Sequence, residues 1–168
     1  SPSVEDKNLK VSGMPEEVVW ITSYPKDLSS KGTKKGGTLH LSLGEYPTTF
    51  RYVGPESNTS TRGLMWPHAV FLGDNPETQE YMPYAATHWA FGADNQTVYY
   101  KLNEHMKWSD GVPCTADDFV FAWESFCSPN LEAPWYNNYY SKLEVKKIND
   151  YCVSVKYLES DQLPKVSL

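Results

Sequence analysis

The side chains in this chain most able to do chemistry are its 4 histidines, 3 cysteines and 21 acidic residues, and their spacing gives them little to do together. A catalytic site needs a nucleophile beside a base or two carboxylates in different environments, and a metal centre needs donors that converge. His40, His68, His88 and His105 are scattered, with no H-x-x-x-H and no His/Cys pair at ligand spacing, so no metal is expected. Asp117 and Asp118 are adjacent, but in the first turn of a helix the positive end of the helix dipole explains them more simply than an acid and a base would. The glycine patterns that cradle phosphate or raise a nucleophile are missing. These residues predict a protein that is not an enzyme and uses no cofactor.

The aromatic residues are more distinctive. Trp135, Tyr136, Tyr139 and Tyr140 follow Pro134 in one short run. Large rings with a polar handle suit ligand pockets and interfaces, and they serve as core equally well; composition by itself favours the core. Cys114, Cys127 and Cys152 fit neither a paired C-x-x-C site nor a disulfide framework. They read as small buried hydrophobes, with one disulfide plus a spare thiol as the other arrangement. Asn58-Thr59-Ser60 and Asn95-Gln96-Thr97 match the glycosylation acceptor triplet, which arises readily by chance.

Positioning these residues requires a folded chain, and the composition provides for one. Of 168 residues 40% are hydrophobic and 14% aromatic, enough to bury a core and too much for a disordered chain. The net charge of −6 is spread without a basic block, which excludes nucleic acid as a partner. No apolar run approaches the roughly 20 residues of a membrane span. The chain opens on the polar stretch Ser1 to Lys10, which reads as neither signal peptide nor membrane helix; a mature exported protein also begins this way.

Residues 1–37 read as an extended lead-in whose one apolar cluster is Val18 to Ile21. Leu39, Leu41 and Leu43 alternate with polar residues and predict a strand over 38–43. The stretch 44–63 reads as loop and 64–72 as a short helix or strand. His88 to Phe91 and Thr97 to Leu102, around Gly92 to Asn95, predict a β-hairpin. The turn Trp108 to Gly111 leads to Thr115, an N-cap for a helix whose apolar face is Ala116, Phe119, Val120, Trp123 and Cys127 and which Pro129 stops. Leu143 to Ile148 and Tyr151 to Leu158 flank Asn149-Asp150 as a second hairpin. This order implies an α+β architecture of hairpins and short helices.

Lys34-Lys35-Gly36-Gly37-Thr38-Leu39, Pro83 to Trp89, Tyr99 to Leu102 and above all Trp108-Ser109-Asp110-Gly111-Val112-Pro113-Cys114-Thr115-Ala116-Asp117-Asp118-Phe119 together resemble the family 5 extracellular solute-binding proteins, the peptide and nickel receptors of ABC importers. Thr49 to Asn58 and Ala133 to Tyr140 are similar to the branch that contains the oligopeptide and microcin C receptors. Cys114 departs from the apolar residue usual at its position, in keeping with a small buried side chain. The resemblance spans about Lys34 to Leu158 and implies that residues 38–168 are the N-terminal part of lobe I of a two-lobed, class II-like periplasmic-binding fold, without the second lobe.

It implies an exported or lipid-anchored receptor, periplasmic or otherwise extracytoplasmic, that binds peptides or peptide-like compounds. The receptor delivers them to ABC permease subunits and meets the membrane only through the transporter or an anchor. It also implies ligand contacts at Tyr52, Val53, Gly54, Trp135 and Tyr136, and no catalytic, metal or cofactor residue. A stand-alone interaction domain using an exposed aromatic patch, or a nickel or metallophore receptor of the same family, are the alternatives. The Trp108 to Phe119 stretch reads as structural: Gly111 makes the turn, Pro113 stiffens it and Thr115 caps the helix.

Overall fold

The computed structural model describes residues 3–24, 34, 36–38, 40, 42, 46, 49–51, 53–57 and 70–159. Leu39, Leu41 and Leu43, on which the expected first strand rests, lie outside them, as do residues 64–69, Tyr52 and Asn58.

Both expected hairpins form. In the first, β5 (Ala86–Phe91) pairs antiparallel with β6 (Thr97–Leu102), Ala90 opposite Tyr99. Its turn puts Asn95 at φ 54 and is tied by the Asp94 carboxylate, which accepts from the Gln96 and Thr97 N–H groups and the Thr97 hydroxyl. In the second, β7 (Leu143–Asn149) pairs with β8 (Cys152–Tyr157), and β8 pairs back onto β6, with Tyr100 opposite Val153.

The segment expected as an extended lead-in supplies two further strands, β1 (Val4–Asp6) and β2 (Trp20–Thr22), giving a 6-stranded sheet in the order β1-β2-β5-β6-β8-β7. Each is 3 residues long, too short for a two-residue alternation to stand out in the sequence. A separate ribbon joins β3 (Leu72–Asp74) to β4 (Tyr81–Pro83).

Alternation along the strands sorts the core into two layers. Trp89, Val98, Tyr100, Val153 and Val155 belong to the larger, with Phe71, Leu72 and Leu143. Trp20, Ala90, Tyr99 and Cys152 form the smaller, covered by Leu9, Val11, Met14 and Val18 from the segment between β1 and β2. That segment is fastened by polar groups: Glu16 accepts from the Tyr99 hydroxyl at 2.8 Å and from the Ala93 N–H at 3.3 Å, and Asn149 Nδ2 donates to the Ser12 carbonyl at 2.8 Å.

Helix α1 (Ala116–Cys127) covers the larger layer. It starts at Thr115 as its sequence predicts, with the Thr115 N–H donating to Asp118 Oδ2 at 2.7 Å. Ala116 is buried and Phe119, Val120 and Trp123 pack on the sheet. The turn before it is closed by Trp108 N–H to the Val112 carbonyl and by Gly111 at φ 90, and it leaves the Trp108 ring 51% exposed. After a 3-10 turn (Pro129–Leu131), helix α2 (Pro134–Tyr140) leads into β7. No helix among the described residues is long and apolar enough to cross a membrane.

Candidate functional site

Helix α2 is only 7 residues long and could not persist in water by itself. Its position is set by α1. Pro134 occupies the first helical turn, where its missing N–H costs nothing. Asn137 Nδ2 donates to the carbonyls of Phe126 (2.6 Å) and Ser128 (2.9 Å), satisfying acceptors that the end of α1 leaves open. Trp123 Nε1 donates to the carbonyls of Tyr140 (3.1 Å) and Leu143 (3.2 Å), so α1 also holds the far end of α2.

The helical spacing of the four α2 rings then builds two parallel stripes. Tyr136 and Tyr140 lie 6.2 Å apart with planes 3° from parallel, and both stack on Phe126 of α1, at 5.4 Å and 4.6 Å. Trp135 and Tyr139 lie 5.8 Å apart at 4° and form the outer stripe. Tyr139 is part-buried against the core, whereas Trp135 is 69% exposed. The aromatic run is therefore divided, core on one side and surface on the other.

A second element meets this helix at its approach. Residues 53–57 form a turn in which Ser57 N–H donates to the Gly54 carbonyl. Gly54 has φ 94, a conformation suited to glycine, and a Cβ placed on it would lie 2.6 Å from the Leu131 carbonyl oxygen and 2.7 Å from Arg51 Nη2. The turn thus packs directly on the 3-10 segment that precedes α2. Arg51 ties the two: Nε donates to the Val53 carbonyl at 3.0 Å and Nη2 to the Leu131 carbonyl at 3.5 Å.

Of the residues singled out in the sequence, Gly54 lies against the segment that leads to Trp135 and Tyr136. Val53 is buried, so what it can offer outward is backbone, and Tyr52 lies outside the described residues. Two participants were not singled out as site residues. Phe126, which carries the inner stripe, continues the helical series of Phe119 and Trp123 and could have been found by that spacing. Arg51 carries no local signal; its role depends on a contact 80 residues away.

Several charged groups elsewhere have structural partners. Asp117 receives Lys147 at 2.7 Å and Asp118 receives the Thr115 N–H, so the adjacent pair serves the helix start and the β7–β8 turn. His88 contacts Asp6 at 3.5 Å; burial lowers its pKa and Asp6 opposes that. All three cysteines are free, and burial pushes the Cys114 thiol up to about 11 and the Cys152 thiol to about 12. No group of three or more His, Cys, Asp or Glu converges on a metal position among the described residues.

The arrangement is a set of stacked aromatic rings on α2 and, against the 3-10 segment that precedes it, a backbone turn carrying a cation. Residues 80–167 match the bacterial extracellular solute-binding proteins, family 5. The chain is 33% identical over 104 residues to a probable ABC transporter-binding protein of Deinococcus radiodurans, covering 62% of this chain and 16% of that one. It is 43% identical over 68 residues to the periplasmic oligopeptide-binding protein OppA of Haemophilus influenzae, covering 40% and 12%. In three dimensions it is similar to the crystal structure of H. influenzae OppA in complex with RPPGFSPFR, with a TM-score of 0.56, 25% identity, and coverage of 66% of this chain and 25% of that one. The unliganded murein tripeptide-binding protein MppA shares the fold at a TM-score of 0.56 and 19% identity. The chain thus spans only 12–16% of the length of these curated relatives.

Proposed function

Because the chain belongs to the bacterial extracellular solute-binding proteins of family 5, we propose that it is part of the first lobe of an extracytoplasmic receptor that binds peptides or peptide-like compounds and delivers them to the permease subunits of an ABC importer. The observation that carries this reading is the packing of the Gly54 turn on Leu131, which sets that turn beside the helix presenting Trp135. An extended peptide is held mainly through its main chain, and pockets lined by rings and backbone tolerate many side chains. The site is half of such a groove, and a second lobe closing over it would supply the other half. The protein works outside the cytoplasmic membrane, meets it only through the transporter or an anchor, and transforms nothing.

The experiment is a titration of the isotope-labelled chain with a short alanine peptide at millimolar concentration, followed by amide NMR shifts. The expected result is saturable shifts confined to Gly54, Leu131, Trp135 and Tyr136. Shifts elsewhere, or none, would remove the reading. The exposure of Trp135 also favours a second use, as a patch that docks another protein; a chain that ignores peptides while W135A abolishes capture of a defined protein partner would establish it.

A further inference from the structure

Among the described residues, Arg51 stands apart from the other bound cations. Lys101, Lys142, Lys146, Lys147 and Lys156 each pair with a carboxylate. The partners of Arg51 are carbonyl oxygens, those of Val53 and Leu131, and no carboxylate among the described residues forms an ion pair with it. Carbonyls fix a guanidinium without neutralising it. The two bonds use two of the five guanidinium N–H donors, which leaves three, on the two terminal nitrogens, for a carboxylate to accept.

The surroundings are built around this group. Gly54 lacks the Cβ that would come within 2.7 Å of Nη2, so its backbone leaves the guanidinium its place. Arg51 is exposed, at the junction of the turn and the segment leading to the aromatic helix. Holding a long side chain in one place beforehand lowers the entropy lost when a ligand arrives.

We infer that Arg51 is a specificity determinant of this site, recognising a carboxylate of the ligand where it crosses the Gly54–Leu131 junction. The inference rests on the peptide-receptor reading and narrows it. The preferred ligands are peptides or peptide-like compounds with an acidic group at that point, either a C-terminal carboxylate or an acidic side chain. Lysine cannot replace the arginine fully, because an ammonium cannot bridge two carbonyls in one plane and still offer a parallel pair of donors.

The test compares probes on the unmodified chain by the same NMR titration: trialanine as free acid against trialanine amide, and Ala-Glu-Ala amide against Ala-Gln-Ala amide. At least one acidic probe should bind about fivefold tighter than its neutral partner, the scale of a partly exposed charge pair. R51Q should bring the acidic probe down to the affinity of its neutral partner, with the amide spectrum of the sheet unchanged, and R51K should recover part of the difference. Equal binding of acidic and neutral probes to the unmodified chain would overturn the inference and leave the peptide reading standing. Binding of neither would remove the peptide reading itself, and the inference with it.

Discussion

Two groups of aromatic rings in this molecule use the same residue types for different ends. Phe71, Tyr100 and Phe119 stack at 4.3 Å and 4.6 Å between the sheet and α1, and Tyr100 is completely buried. Phe126, Trp135, Tyr136, Tyr139 and Tyr140 stack at spacings from 4.6 Å to 6.2 Å between α1 and α2, and Trp135 is 69% exposed. Ring chemistry does not distinguish the groups; what lies beneath each ring does. The first group has a sheet on one side and a helix on the other. The second is a helix laid across another helix, so its tyrosines are part-buried and Trp135 alone of its rings is exposed. A short helix held at its middle and its far end by side-chain bonds to backbone carbonyls is a way to keep large apolar rings near the surface.

The largest effect expected is at the buried group. Tyr100→Ala should cost about 3–5 kcal/mol, the range for deleting a large buried ring, which for a domain of ordinary stability is much of the total. Urea denaturation followed by circular dichroism checks it, and a loss below about 1 kcal/mol would mean the two groups are not different after all.

Gly54→Ala comes next. Its Cβ would meet the Leu131 carbonyl and Arg51, and φ 94 suits glycine, so a local cost of about 1–3 kcal/mol is expected. The shift changes in an amide NMR spectrum should stay within residues 51–57 and 129–135; a spectrum changed throughout would place that turn in the core. Asn137→Ala removes the bonds to the Phe126 and Ser128 carbonyls and should cost about 1–2 kcal/mol. It should also loosen the ring stripes, read as a smaller near-ultraviolet circular dichroism signal with the far-ultraviolet signal retained.

Much of the larger layer was legible in the sequence. The two hairpins show their period and their turns, and Thr115 with Asp118 and Pro129 marks the ends of α1. What escaped was non-local. Trp20 and Ile21 were visible as an apolar pair, but nothing nearby says that they join the sheet beside Trp89, because that bridge joins residues 68 apart and rests on strands of three residues. The site was legible in part. Trp135 and Tyr136 stood out, yet whether a ring in such a run is core or surface depends on the α1–α2 crossing, which sequence does not encode locally. The four α2 rings recur at i and i+4, the signal that pairs them into stripes, without saying which stripe is covered.

Alkaline pH sharpens the comparison between buried and exposed groups by a different route. Burial raises the Cys152 thiol from 9.0 to about 12 and the Cys114 thiol to about 11. In the unfolded chain both ionise near 9, so their contribution favours the folded state fully below that pH and is lost as pH rises towards 11 and 12. Stability measured by urea should therefore fall above about pH 9, and Cys152→Ala should flatten part of that fall.

The smallest stability effect, and the most informative, is expected at Trp135. Trp135→Ala deletes a ring that is mostly in water, so the cost should stay within about 0.5 kcal/mol, as at other surface positions. Its stacking on Tyr139 and edge contact with Tyr136 are the only ring contacts it makes among the described residues. If stability is unchanged and short-peptide affinity falls, the outer stripe is there for the ligand and the division between the two aromatic groups is one of function. If stability falls by about 2 kcal/mol or more, as for a buried ring, Trp135 is covered in solution, and both groups are core.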